Sequence, residues 1–177
     1  RYTKACTLKL LSEQQNNEHL QIEKVLAANL VHPDPLLSEV AAWSLFRCNR
    51  EYYQDITFRL RKKGDKGILL TENKIRARVN NQYLLLFEKV ALLKSTELFA
   101  SVNEPEIIDF LTMHSGIQIS HSMNVNREDE KNPQTICLTS DNGMVITVPV
   151  TALYEHMMST PEQAEKLFAF NQLNTTN

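Results

Sequence analysis

The chain has 177 residues, 42 % hydrophobic and 23 % charged, with a formal net charge of -2 at pH 7. That is the balance of a soluble globular protein of one domain or two small ones, and no run reaches the roughly 20 apolar residues that a membrane-spanning helix needs. Three widely spaced cysteines, Cys6, Cys48 and Cys137, suggest a reducing compartment and no disulfide framework.

The charge is divided unevenly. Residues 1–80 hold 14 Lys or Arg against 9 Asp or Glu, and residues 81–177 hold 5 against 12. Two modules are expected, 1–80 and 81–177, the second a poor host for a phosphate-bearing ligand. No signal peptide opens the sequence. Arg1 falls inside a predicted helix, so the chain is read as a piece of a longer protein.

The first 63 residues read as helices. "YTKACTLKLL" places Tyr2, Cys6 and Leu10 on one face, with Leu8 and Leu11 beside them. "LQIEKVLAANLV" repeats the pattern at Ile22, Val25, Leu26, Asn29 and Leu30. "HPDPLLSEVAAWSLFRC" supplies a turn, a Pro at a helix start and another apolar face. Tyr2, Cys6 and Leu10 align with Leu37, Ala41 and Leu45 at an offset of 35, in the range of helical solenoids. Over roughly residues 1–50 these segments resemble HEAT repeats, whose Asp-Pro turn and second helix "HPDPLLSEVAAWSLFR" is similar to; Ser38 stands where the repeat usually has Arg.

"REYYQDITFRLRKKG" reads as a further helix that stops at Gly64, and "ILLTENKIRARVNNQ" as a helix or irregular linker. A helix is expected over 83–94, then an acidic helix in "NEPEIIDFL". "GIQISHSMNV" alternates like a strand, "NREDEKNPQ" is a charged loop, and "TICLTSDNGMVITVPV" reads as two strands around Asp141-Asn142-Gly143. "TALYEHMM" is a helix, and Thr160, Pro161 and Gln163 mark the start of a last one. The fold class is therefore α+β, helical hairpins followed by a shortened β-roll with flanking helices.

The order of elements over 83–172 resembles a cyclic-nucleotide-binding domain. "VALLKSTELFASV" is similar to its opening, and "VPVTALYEHMMSTPEQAEKLFAF" to its closing strand and helices. The resemblance implies a phosphate cradle of free backbone amides and an Arg. Here no Gly-Glu dipeptide exists, and Arg127, the only Arg after residue 111, is followed by Glu128, Asp129 and Glu130. The cradle is read as deleted.

Other chemistry is not signalled. His114 and His121, seven apart, make a poor metal pair, and His19, His32 and His156 have no second ligand at helical spacing. Cys6, Cys48 and Trp43 read as core residues, and Glu104 with Glu106 as a solvated face. No nucleophile-elbow pattern occurs. No catalytic, cofactor-binding or metal residues are assigned, no cofactor is expected, and nucleic acid is disfavoured because the basic residues lack interleaved aromatics. The basic run Arg59, Arg61, Lys62, Lys63 and Lys66 suits a helix C-terminus first, and otherwise an anionic lipid surface or an acidic partner.

HEAT-like repeats followed by a degenerate cyclic-nucleotide-binding-like domain also resemble the C-terminal region of bacterial transporters of the ATP/ADP translocase type. That resemblance implies a regulatory or protein-interaction module, not an enzyme, on the cytoplasmic side of a membrane, with the rest of its own chain or another protein as partner. The alternatives are a cyclic-nucleotide sensor and a free-standing HEAT-type adaptor.

Overall fold

The computed structural model describes residues 1–13, 19–80, 82–96, 98–114, 117–121, 135–139 and 144–157. It divides into two compact units, Arg1–Glu88 and Lys89–Asn177.

The first unit is helical: α1 Tyr2–Glu13, α2 His19–Ala28, α3 Pro35–Cys48, α4 Arg50–Lys62 and α5 Lys66–Val79, followed by the start of α6 Leu86–Lys94. Short polar side chains set the boundaries. Asp34 caps α3 by accepting the Leu36 N–H at 3.1 Å, with Pro35 in the first turn. Asn49 closes α3 through its own N–H to the Leu45 carbonyl and opens α4 by accepting the Tyr52 N–H at 3.0 Å. Asp65 accepts the N–H groups of Gly67 and Ile68 at the start of α5. Between α4 and α5, Gly64 has φ 83°, and two backbone bonds close a Schellman motif: Gly64 N–H to the Arg61 carbonyl and Asp65 N–H to the Leu60 carbonyl. Of the segment expected as helix or linker, residues 68–79 are thus helical, within α5.

α3 is the centre of this unit, packed against α1, α2, α4 and α5. Leu36, Leu37, Val40, Ala41, Ala42 and Leu45 are all buried, so the helix has almost no solvent face. The face expected on α1 is corrected. Ala5 and Leu8 are buried, Tyr2 and Cys6 are half-buried, and Leu10 is 60 % exposed. A ten-residue stretch with apolar residues on two sides satisfies helical periodicity either way, and the neighbouring helix selects the side with the small Ala5. The offset of 35 therefore does not match equivalent buried positions.

Residues 82–88, expected in the second module, belong to the first. Phe87 stacks on Tyr2 at a ring-centroid distance of 5.1 Å, and Tyr83 and Leu86 bond to α3. The helix expected over 83–94 begins at Leu86.

In the second unit α7 Glu104–Met113 is followed by β1 Gln118–His121, β2 Thr135–Thr139, β3 Met144–Pro149 and α8 Val150–Met157. The sheet has order β1-β3-β2 and is antiparallel throughout, with Ile119 opposite Ile146 and Cys137 opposite Thr147. β3 is central. Val145, Ile146 and Val148 are buried, so both of its faces are partly covered, and α8 packs on it through a segment that buries Ala152 and Leu153. The Asp141-Asn142-Gly143 turn, the charged loop with Arg127, and the Thr160–Gln163 helix start lie outside the described residues.

Candidate functional site

Two carboxylates organise the start of α6. Glu39, on the apolar helix α3, is buried, and one of its oxygens pairs with Lys74 Nζ of α5 and accepts the Tyr83 hydroxyl at 3.2 Å. The other accepts the Leu86 N–H at 2.8 Å. Glu88 accepts the Leu85 N–H at 2.9 Å, as an acidic third residue does in a capping box, and takes a bidentate pair from Arg78 (Nε to Oε2 and Nη2 to Oε1, each 2.8 Å). Orphan amides at a helix start need acceptors, and here both come from carboxylates that are themselves neutralised by a cation. Burial pushes the Tyr83 phenol up, reinforced by the charge and hydrogen bond of Glu39 and the charge of Glu88, so it remains a donor.

Arg78 also lies over Trp43, 5.2 Å from the ring, and Arg47 lies 5.9 Å from the same ring. Trp43 stacks on Phe46, which meets Tyr53 edge-on at 5.6 Å. Trp43 is therefore half-buried, with two guanidinium groups and Phe46 around its ring, not a core residue as its sequence context suggests. Tyr53 is the buried aromatic of α4; burial raises its phenol, and the charge of Glu72 adds to the effect.

In the second unit the Leu-Lys pair of the opening segment has a structural task. Lys94 Nζ donates to the carbonyls of Ala100 at 3.0 Å and Val102 at 2.9 Å, with Glu104 at 3.9 Å. This holds the turn that carries Leu98, Phe99 and Val102, all buried. Phe99 meets Phe110 of α7 at 5.4 Å, and Phe110 meets His114 at 5.2 Å. His114 Nδ1 lies 3.9 Å from Glu155 Oε2.

The basic run surrounds the α4–α5 turn. Arg59 pairs with Asp55 at 2.6 Å and Arg61 with Glu72 at 3.2 Å. Lys62 Nζ sits 4.6 Å over the ring of the exposed Phe58.

The expected core cysteines are corrected: Cys6 is half-buried and Cys48 exposed. Cys48 Sγ donates to the Ser12 carbonyl at 3.2 Å, and its thiol is pushed up by partial burial and by Glu23, against an opposing effect of Arg47. It is placed at a helix end where a thiolate gains little. Among the described residues no group of three or more His, Cys, Asp or Glu could hold a metal ion, and no helix is long and apolar enough to cross a membrane.

Sequence reasoning missed Glu39. Its signal was a lone carboxylate between Leu37 and Val40 in an otherwise apolar helix, where an acidic residue needs a cation from elsewhere in the chain. Comparison of the chain with protein families, curated proteins and solved structures finds no match.

Proposed function

We propose that the chain is a non-catalytic regulatory or protein-interaction module, made of HEAT-like hairpins followed by a degenerate cyclic-nucleotide-binding-like domain. We assign it to the C-terminal, cytoplasmic region of a larger ATP:ADP antiporter-like transporter, with the remainder of that chain or a neighbouring protein as partner. The observation that carries the reading is the spacing of α1, α3 and α5, which begin at residues 2, 35 and 66, each packed on the next. α2 and α4 begin at 19 and 50 and pack on α3 and α5 respectively. A nearly constant spacing of helical pairs is how solenoids build extended surfaces for protein partners.

The charged groups described above act as caps and cross-braces, which supports a role in contacts over one in chemistry. Lys94, whose counterpart opens the resembled domain, is likewise committed to two carbonyls. The reading frame upstream of Arg1 tests the attachment: ten or more hydrophobic spans are expected (on the order of a transporter core), each of about 20 residues. Further helical repeats alone would favour the free-standing adaptor. Calorimetry with cyclic AMP and cyclic GMP tests the lost cradle, with no heat of binding expected; micromolar affinity for either would make the second unit a sensor.

A further inference from the structure

We propose that the tip of the α4–α5 hairpin is a docking surface for an anionic lipid bilayer. The tip is made by the last two turns of α4, the Gly64 bend and the first two turns of α5. Within six residues of Gly64 on either side, under two helical turns, it exposes Phe58 (49 %), Leu69 (52 %) and Leu70 (60 %) together with Lys62, Lys63 and Lys66. Three large apolar side chains in water beside three cations form the pattern of an interfacial segment: ring and aliphatic groups for the headgroup–acyl boundary, ammonium groups for the phosphates.

The helix dipole does not account for this arrangement. It favours Arg59, Arg61 and Lys62 in the last turn of α4, but it disfavours Lys66, which is the first residue of α5. Nor does it explain why Phe58, Leu69 and Leu70 face water.

The division of labour among the cations favours lipid over a protein partner. The arginines, whose planar forks suit fixed carboxylates, are already paired within the hairpin to Asp55 and Glu72. Asp65 is occupied by the amides of Gly67 and Ile68. Among the described residues none of Lys62, Lys63 and Lys66 has a carboxylate partner. Lysines on flexible stems act as point charges that suit a fluid layer of headgroups. Lys62, lying over the Phe58 ring, can reach upward as that ring enters the interface. The inference does not rest on the transporter reading, since a tip of this kind would bind vesicles in a free-standing adaptor as well.

Flotation of the 177-residue protein with vesicles provides the test. Binding is expected with about 30 mol % phosphatidylserine and not with phosphatidylcholine alone, and it should weaken strongly in about 0.5 M salt. Lys62→Gln/Lys63→Gln/Lys66→Gln should lower the partition coefficient by about 100-fold. Phe58→Ser/Leu70→Ser should lower it by about 10-fold. All five side chains are exposed, so an unchanged melting curve is expected and checks that each variant is folded. Equal binding to neutral vesicles, no binding to anionic ones, or an unaffected triple variant would overturn the proposal. Capture of a polyglutamate peptide without vesicle binding would reassign the tip to an acidic protein, and so overturn it too.

Discussion

The Glu39 carboxylate accepts the backbone N–H of Leu86 at 2.8 Å, joining two residues 47 positions apart in the chain. Because the same carboxylate pairs with Lys74 and receives the Tyr83 hydroxyl, one buried charge ties α3 to α5 and to the first residue of α6.

Removing that charge should be costly. Glu39→Ala leaves a partly buried ammonium and a buried amide without their acceptor, and is expected to destabilise the first unit by about 3–5 kcal/mol in urea denaturation. Lys74→Ala should cost less, because Tyr83 and Leu86 still satisfy the carboxylate. If the two substitutions cost the same, the backbone bond contributes nothing and the pair alone matters.

The Phe99 ring, buried against Phe110, anchors the segment that Lys94 holds. Phe99→Ala should destabilise the second unit by about 3–5 kcal/mol and Leu98→Ala by about 2–5 kcal/mol, the range of buried truncations. The α8–β3 core should report the loss, as faster amide exchange at Ile146 and Val148 than in the parent. Losses of a few tenths of a kcal/mol would mean that 98–99 is not an anchor.

Gly64 shows how a single turn residue is selected. Nothing lies within 4 Å of an added Cβ, so sterics with neighbours do not decide the outcome, but φ is 83°. Gly64→Ala is therefore expected to cost about 1 kcal/mol through backbone conformation alone. Gly64→Asn should cost less, since Asn tolerates that region better. Melting temperatures in the order Gly, Asn, Ala check this.

Asp34 carries a pH dependence. Burial alone would raise its carboxyl, but the Arg1 hydrogen bond at 2.7 Å, the Leu36 amide and the charges of Arg1 and His32 outweigh burial and hold it below its ordinary 3.8. A carboxyl whose folded pKa is depressed contributes stability that is fully present above the unfolded value and lost as pH falls through the folded one. Asp34→Asn keeps the capping acceptor and removes the charge. It should lower the melting temperature at neutral pH, and the difference from the parent should vanish at pH values below the folded pKa, thus below 3.8. A difference that persists there would place the effect in the cap and not in the charge.

Much of the local structure was legible in the chain. The "HPDP" turn with Pro35 at the start of α3 and the Gly64 bend after α4 mark helix boundaries through interactions only a few residues long. The alternation in "MVITVP" and "TICLT" likewise produced the paired strands β3 and β2. The candidate interaction surface was half legible. The cations at 59–66 stood out in the sequence, but the exposure of Phe58, Leu69 and Leu70 did not, because an apolar residue on a helix reads as core until its neighbours are known.

By itself the sequence determined the order of helices and strands, the start of α3 at Asp34-Pro35, the break at Gly64 and how charge is divided between the two halves, since turn residues, glycine conformation and composition act within a turn or add up without regard to shape. Only the tertiary structure decided that α1 buries Ala5 and Leu8 but exposes Leu10, that Trp43 is half-buried beside Arg47 and Arg78, and that residues 82–88 join the helical unit. Each of those outcomes depends on which surface a distant segment presents. Glu39 is the clearest instance: a carboxylate can be buried in α3 only because Lys74, 35 residues later, and the Leu86 amide converge on it.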